Sequence, residues 1–223
     1  MTSLPSTLPS ALPAARPTLA GTVWPRPAAR PAALGRDAFL VLTFSLLTAL
    51  CAQVTIPLPY VPITGQTFAV LLAGALLGPR LGALAMLAYL GEGLAGLPVF
   101  ALAHSAWTPG SPLLPGVPTI VGLSAGFLWS YPFAAALVGG LAERGWDRKP
   151  ATTLAAMLLG SLVIFACGAA WLGHYVGASR ALPLGVWPFL PGDAVKALLA
   201  AGLLPLGWKI LGGKAQGKCV RAP

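Results

Sequence analysis

Six long runs of apolar residues dominate the chain, separated by short segments rich in proline, glycine or charge. The runs cover residues 38–55, 64–78, 81–98, 119–142, 151–176 and 193–211. A helix needs about 20 residues to cross a hydrocarbon core of about 30 Å. The runs are apolar on every side, without the alternation of barrel strands, which favours helices. The pattern predicts an all-α integral membrane protein with six transmembrane helices and structured outer loops.

The second and third runs are the least certain part of this pattern, because only Gly78, Pro79 and Arg80 separate them. We predict two spans here, and one broken or re-entrant span is the alternative. The membrane assignment does not depend on this choice. Hydrophobic residues make up 57% of the chain and charged residues 9%, and the mean hydropathy is +0.80.

The basic residues are consistent with an even number of spans. If both termini are cytoplasmic, twelve of the 14 lysines and arginines fall on the cytoplasmic side, as the positive-inside rule expects. The exceptions are Arg180, in an outer loop, and Lys196, near the mouth of a helix. The net charge of +9 therefore indicates topology. It does not indicate nucleic acid, which would require a basic soluble face with interleaved aromatic residues.

Composition divides the chain into three regions. Residues 1–36 are rich in proline and arginine and lack acidic residues. This favours a disordered cytoplasmic tail over the organelle transit peptide that it superficially resembles. Residues 37–212 form the predicted six-helix domain, and residues 213–223 a basic cytoplasmic tail. The three cysteines have no metal-ligand spacing and predict free thiols, with no metal site.

Two proline-rich segments interrupt the helical pattern on the predicted outer side. Residues 56–66 contain three prolines, which fix the backbone and exclude a helix. Residues 99–118 contain four prolines and form a long loop, and loops of this length commonly cover a functional site. The cytoplasmic connections are short and basic. We therefore expect the functional site to open towards the outer face.

Asp193 and Lys196 are the main candidates for chemistry, because ionisable residues inside membrane segments are costly and commonly functional. At positions i and i+3 they share one helix face. Asp193 is expected at the N-cap, where a carboxylate suits the helix dipole. The functional interpretation is an acceptor and a donor that together recognise a small polar ligand. The alternative is a cap beside a lysine that extends to the interface.

Four ordered stretches resemble the BioY family of biotin-specific S components of energy-coupling-factor (ECF) transporters. They read IPLPYVPITGQT at 56–67, LLAGALLGPRLG at 71–82, GLPVF at 96–100, and PFLPGD at 188–193 followed by Lys196. The resemblance covers roughly residues 45–200. It implies a multi-pass protein of a prokaryotic cytoplasmic membrane that binds biotin near its outer surface. It also implies docking onto a transmembrane coupling subunit driven by two ATPases.

The substrate site implied by this resemblance places biotin's fused rings beneath the loop from Tyr60 to Gln66. Asp193 suits a ureido N–H, and Lys196 suits a carbonyl or carboxylate acceptor. For Glu92, a structural or gating hydrogen bond is the alternative to ligand contact. The candidate substrate-binding residues are Tyr60, Thr64, Gln66, Glu92, Ser124, Phe127, Tyr131, Asp193 and Lys196.

Coupling to ATP hydrolysis is expected to come from other subunits, because the chain has no Gly-x-x-x-x-Gly-Lys-[Ser/Thr] loop. No cofactor is expected in this chain. Small residues four apart allow helices to approach closely, and they occur as the pairs Ser45 with Ala49 and Thr48 with Ala52. The resemblance implies that this face meets the coupling subunit. Ordinary packing within the bundle is the alternative.

The stretch from Gly122 to Phe127 departs from the family pattern, since it lacks the usual proline, one glycine and a tyrosine hydroxyl. Tyr131, one turn further on, is a candidate to restore that hydroxyl, with an interfacial aromatic as the alternative. The same stretch matches Gly-x-Ser-x-Gly, so an intramembrane serine hydrolase using Ser124 and His174 is an alternative of a different class. An S component for another small vitamin is the alternative within transport.

Overall fold

The protein is a bundle of six long helices with most of its irregular backbone at one end. The computed structural model describes residues 16–219, with side chains up to Leu211. Within these residues the helices are α1 (Leu19–Val23), α2 (Arg30–Gln53), α3 (Gln66–Leu77), α4 (Pro79–Leu94), α5 (Ala125–Glu143), α6 (Pro150–Val176), α7 (Ala178–Gly185) and α8 (Leu190–Cys219). Two short strands, β1 (Thr55–Ile56) and β2 (Ile63–Thr64), pair antiparallel in the loop between α2 and α3.

The six long helices run alternately between the two ends of the bundle. Helices α3, α5 and α8 begin beside one cavity, which Gln66, Phe127 and Asp193 help to line. Helices α2, α4 and α6 return towards that end. At the opposite end, Arg16 donates its backbone N–H to the Glu143 carbonyl at the C-terminus of α5, at 3.0 Å. The six apolar runs of the sequence therefore correspond to six helices.

Glycines allow the central helices to approach each other closely. A Cβ added at Gly74 in α3 would lie 2.4 Å from the carbonyl oxygen of Ala135 in α5. A Cβ at Gly139 would lie 2.4 Å from the backbone of Gly78, where α3 gives way to α4. Gly78 itself has φ of 86°, a left-handed conformation that favours glycine. These contacts place α3 and α5 against each other along their length.

Among the described residues, four helical segments are long and apolar enough to cross a membrane. They are Arg30–Gln53, Ala125–Glu143, Pro150–Val176 and Ala178–Leu211. Helices α3 and α4 have 12 and 16 residues, which correspond to about 18 and about 24 Å at 1.5 Å per residue. The break at Gly78 falls within the predicted Gly78 to Arg80 boundary, so the two short runs are two helices and not one.

Residues 16–36, the described part of the tail that was predicted to be disordered, contain helical structure. Residues 1–15 lie outside the described part of the chain, but α1 occupies Leu19–Val23 and α2 begins at Arg30. Arg36, only 5% exposed, donates to the carbonyls of Trp24 and Ala20 and pairs with Asp37. The proline after Arg30 fits the first turn of a helix, where no N–H partner is needed.

The small-residue face of α2 is largely buried within the bundle. Ser45, Thr48 and Ala52 are all 0% exposed, and Ala49 is half-buried. Helix α2 packs on α3 and α4, and the Thr48 hydroxyl donates to the Phe44 carbonyl of its own helix at 2.8 Å. In the described conformation this face packs inside the bundle, which favours ordinary packing, and its contact with a coupling subunit stays a prediction.

The end of the bundle away from the cavity is held by a contact between the α5–α6 loop and α8. Trp208 Nε1 donates to Asp147 Oδ2 at 2.6 Å, and the Arg148 guanidinium lies 4.4 Å from the Trp208 ring centroid. Asp147 is 2% exposed, and its Oδ1 has no hydrogen-bond partner. Burial raises the pKa of Asp147, although the Trp208 hydrogen bond opposes this effect.

We expect Trp208→Phe to lower the free energy of unfolding by about 1–3 kcal/mol, because it leaves a buried carboxylate oxygen without its donor. Asp147→Asn keeps an acceptor for Trp208 but removes the charge. The folded protein holds the Asp147 proton more tightly than the unfolded chain, so this group's contribution to stability falls as pH rises from 3.8 through the raised pKa. Thermal unfolding in detergent should therefore show that the asparagine variant gains more stability relative to the wild type at about pH 7.5 than at about pH 4.5. An equal difference in unfolding temperature between variant and wild type at both pH values would contradict the raised pKa of Asp147.

Candidate binding cavity

A cavity lies at the end of the bundle where α3, α5 and α8 begin, and we call it the end cavity. Six segments contribute to it: the β1–β2 loop, the start of α3, the loop between α4 and α5, the start of α5, the middle of α6 and the start of α8. Its lining residues are Val61, Pro62, Thr64, Gln66, Thr67, Phe100, Ala101, Leu102, His104, Gly110, Thr119, Ser124, Phe127, Leu128, Tyr131, Phe165, Phe189, Asp193 and Lys196. Residues distant in sequence thus meet at one site.

Asp193 and Lys196 both line the end cavity. Helix α8 begins at Leu190, so Asp193 lies in its first turn and not at the N-cap that the sequence suggested. Asp193 is 5% exposed, and the ion pairs of the described residues do not include it. The Lys196 ammonium instead donates to the Thr64 carbonyl at 2.7 Å and to Thr67 Oγ1 at 2.8 Å. The acid and the base are adjacent in the cavity without neutralising each other directly.

A buried hydrogen-bond network surrounds Gln66, which is 4% exposed. Gln66 Nε2 donates to the Tyr89 hydroxyl, which in turn donates to the Val99 carbonyl at 3.0 Å. Gln66 Oε1 accepts from Thr64 Oγ1 at 2.9 Å and from the Tyr131 hydroxyl at 3.4 Å. The hydroxyl of Tyr131 thus lies in this polar network and not at the interface. Tyr89, which the sequence did not single out, anchors the network to the chain after α4.

Part of the wall of the end cavity is aromatic. Phe127 stacks on Phe189 with ring centroids 6.1 Å apart, and Phe165 lies 6.2 Å from Phe189. Gly168 makes room for this wall, because a Cβ there would lie 2.3 Å from the Phe127 ring. The cavity therefore combines a flat apolar surface with two charged groups and several amide and hydroxyl groups.

The long loop between α4 and α5 covers part of the cavity, and Gln53 at the end of α2 holds it. Gln53 Nε2 donates to the Phe100 carbonyl at 3.1 Å, and Gln53 Oε1 accepts the Ala103 N–H at 3.0 Å. In the turn between Phe100 and Ala103, Leu102 has a left-handed φ of 60° and lines the cavity. The sequence signal for Gln53 is its position as a polar residue near the end of an apolar run.

Two of the predicted site residues lie away from the cavity lining. Tyr60 is half-buried and packs against the hydrophobic core. Glu92, also half-buried, lies on α4 with its Oε2 buried and without a hydrogen-bond partner. In the described conformation neither residue lines the cavity, and the hydrogen bonds of the described residues include none to the Glu92 side chain, so both interpretations of Glu92 stay predictions.

Ser124 and His174 are separated, which contradicts the hydrolase alternative. Ser124 lines the end cavity. His174 is exposed on α6 and lines a different, apolar depression with Trp129, Phe133 and Trp171. Ser124 therefore has no histidine base from α6. Among the described residues, no group of three or more His, Cys, Asp and Glu side chains is placed to hold a metal ion.

The helical bundle and its end cavity define a membrane protein that binds a small ligand carrying both apolar and polar groups. Cavities of this kind are mostly apolar and place a few polar groups to orient the ligand. The chain belongs to the BioY family, whose model matches residues 26–213.

Known relatives align over most of their length. The chain is 37% identical to a "Probable biotin transporter BioY" of Pyrococcus horikoshii over 165 residues, 74% of this chain and 91% of the relative. It is 35% identical to the "Biotin transporter BioY" of Thermotoga maritima over 159 residues, 71% and 87% of the two chains. The corresponding protein of Rhizobium etli is 33% identical over 195 residues, 81% and 98%. These relatives are transporters, and the chain is accordingly a transport protein and not an enzyme.

One solved structure shares the fold. It is described as the S-component for biotin from an ECF-type ABC transporter, and it superposes with a TM-score of 0.64. The match covers 82% of this chain and 95% of that chain at 22% sequence identity. At this level of identity the match establishes the common fold.

We expect Gln53→Leu to weaken ligand binding at the end cavity about fivefold to thirtyfold, because two hydrogen bonds that hold the Ala101 to Ala103 turn are lost. Gln53→Glu should have a smaller effect, since it keeps the acceptor for the Ala103 N–H. Equilibrium binding to purified protein measures both variants. Equal affinity of the leucine variant and the wild type would show that this turn does not shape the cavity.

Proposed function

We propose that the protein binds biotin in the end cavity and serves as the substrate-capture subunit of an ATP-driven ECF transporter. Membership of the BioY family supports this, as do the relatives named biotin transporters. The observation that carries the proposal is that Asp193 and Lys196 line the same cavity as three phenylalanine rings, Phe127, Phe165 and Phe189. The chain has no ATP-binding loop, so the coupling subunit and two ATPases would supply the energy.

The chemistry of biotin matches this cavity. Its fused bicyclic ring contains an apolar, saturated thioether ring, which suits Phe127, Phe165 and Phe189. Its ureido group has two N–H donors and one carbonyl acceptor, and its side chain ends in a carboxylate. Asp193 accepts a ureido N–H, and the Lys196 ammonium donates to the ureido carbonyl or to the carboxylate. Gln66 and Tyr131 add neutral polar contacts beside them.

We place the end cavity on the outer face of a prokaryotic cytoplasmic membrane, with six spans and both termini in the cytoplasm. The distribution of charge supports this orientation. Among residues 16–211 the cavity end contains Arg180 and Lys196, whereas Arg16, Arg26, Arg30, Arg36, Arg80, Arg144, Arg148, Lys149 and Lys209 belong to the other end. Cytoplasmic ends of membrane proteins carry such an excess. Helices α3 and α4 are shorter than a bilayer core, and we assign them as spans packed between longer neighbours.

Asp193→Asn and Lys196→Met should each weaken biotin binding about tenfold to a hundredfold, because each removes a charged hydrogen-bonding group from a low-dielectric cavity. Asp147→Asn and Lys209→Met, at the other end, are the matched controls and should bind normally. Equilibrium binding of labelled biotin to detergent-purified protein measures this. Biotinamide, which lacks the carboxylate charge, identifies the partner of Lys196: if Lys196 binds the carboxylate, Lys196→Met loses the preference for biotin over biotinamide. Wild-type affinity in the double variant Asp193→Asn with Lys196→Met would rule out the pair, and tighter binding of another vitamin would replace biotin as the ligand.

The orientation can be tested with two exposed alanines at helix starts on opposite ends, Ala178 on α7 and Ala151 on α6. In a background without Cys51, Cys167 and Cys219, we expect an impermeant maleimide to label Ala178→Cys in intact cells. Ala151→Cys should react only after the membrane is permeabilised. The reverse pattern would place the end cavity on the cytoplasmic side.

A further inference from the structure

Three aromatic side chains bind three consecutive backbone carbonyls just before α5. Trp129 Nε1 donates to the Ile120 carbonyl at 3.1 Å, and the Tyr175 hydroxyl donates to the Val121 carbonyl at 2.6 Å. Trp171 Nε1 donates to the Gly122 carbonyl at 2.9 Å. None of these donors lines the end cavity. All three therefore contact this segment from outside the cavity.

That segment, residues 119–124, forms part of the cavity wall, and we call it the wall turn. Thr119 and Ser124 at its two ends line the end cavity. Ile120 and Leu123 between them are 5% and 4% exposed, which anchors the turn in the core. The Ile120 N–H also donates to the Ala106 carbonyl of the long loop at 3.2 Å. The position of the wall turn therefore sets the shape of the cavity and the attachment of the loop over it.

The donors are held by close packing of α5 and α6. Trp171 and Tyr175 are four residues apart on α6 and so share one face of that helix. Gly126 allows this face to reach the wall turn, because a Cβ at Gly126 would lie 2.3 Å from the Trp171 Cβ. Trp129 reaches the turn from α5 itself. The arrangement thus depends on one glycine and on the spacing of two α6 residues.

An ordinary aromatic belt would not require this geometry. Trp and Tyr collect at membrane interfaces, where their polar atoms can bind water or lipid headgroups. Here the three polar atoms converge on three successive carbonyls, of which Gly122 also accepts the backbone N–H of Ala125 at 3.1 Å, whereas Ile120 and Val121 accept from the side chains. A carbonyl in irregular backbone at membrane depth needs a protein partner. The three side chains therefore have a specific acceptor each, in addition to their contact with lipid.

We propose that Trp129, Trp171 and Tyr175 form an aromatic clamp that positions the wall turn and thereby controls how long the ligand stays in the end cavity. The identity of the ligand as biotin rests on the proposed function. The three residues are positioning residues, since they do not line the cavity. When the wall is already held in its binding conformation, less conformational entropy is lost as the ligand binds. Such a wall also opens less often to release the ligand. Loss of the clamp accordingly raises the dissociation rate.

The sharpest variant is Tyr175→Phe, which removes one hydroxyl and keeps the ring. We expect the dissociation rate of labelled biotin from purified protein to rise about fivefold for each lost hydrogen bond, in Tyr175→Phe and Trp171→Phe alike. The triple phenylalanine variant should show the largest increase. The matched control is Trp208→Phe, which also removes an indole donor but lies at the other end. It should lower thermal stability and leave the dissociation rate unchanged.

A merely structural role gives a different result. It would reduce the fraction of protein that binds, with an unchanged dissociation rate in the remainder, and that outcome overturns the proposal. Amide hydrogen exchange of residues 119–124 provides a readout without ligand and should be faster in Tyr175→Phe than in the wild type or Trp208→Phe. If wild-type protein fails to bind biotin, the proposed function fails, and unchanged exchange would still reject the clamp on its own.

Discussion

The cavity end of this protein depends on side chains that satisfy the carbonyls of irregular backbone. In a membrane, helices satisfy their own backbone groups, whereas loops need partners from the protein. Here the donors are side chains of the surrounding helices and loops. Lys196 binds the Thr64 carbonyl, Gln53 binds Phe100, Tyr89 binds Val99, and Trp107 binds Leu94 at 2.9 Å. Because these bonds define where each loop lies, they also define the shape of the cavity that the loops enclose.

Away from the cavity end, the helices of the bundle pack closely against each other. Gly74 and Gly139 allow backbone contact between α3, α5 and the start of α4. Gly168 and Gly126 act nearer the cavity, where they admit the Phe127 ring and the Trp171 side chain. Small residues thus have two roles along α5 and α6: they close the bundle at its centre, and they accommodate large aromatic side chains where the site is built.

The sequence predicted the elements better than their contacts. The six apolar runs, the outer loops and the Asp193 with Lys196 pair follow from local patterns, and the structure places that pair in the cavity. Gln53 and Tyr89 were not predicted, because their roles depend on partners such as Phe100, 47 residues away for Gln53. The small face of α2 could not be assigned from spacing alone, since packing within a bundle and packing against a partner need the same small residues.

Asp193 and Lys196 lie in the cavity without a direct ion pair, the first buried and the second half-buried. Removing these groups from water costs desolvation energy, and neutral hydrogen bonds offset only part of that cost. Lys196 recovers part of it through Thr64 and Thr67. A ligand that offers N–H donors to the carboxylate and an acceptor to the ammonium would recover more, whereas an apolar ligand would add to the cost. The same charges that destabilise the bundle therefore discriminate among ligands, and the aromatic rings in the same cavity favour a compact apolar ring over a flexible polar molecule.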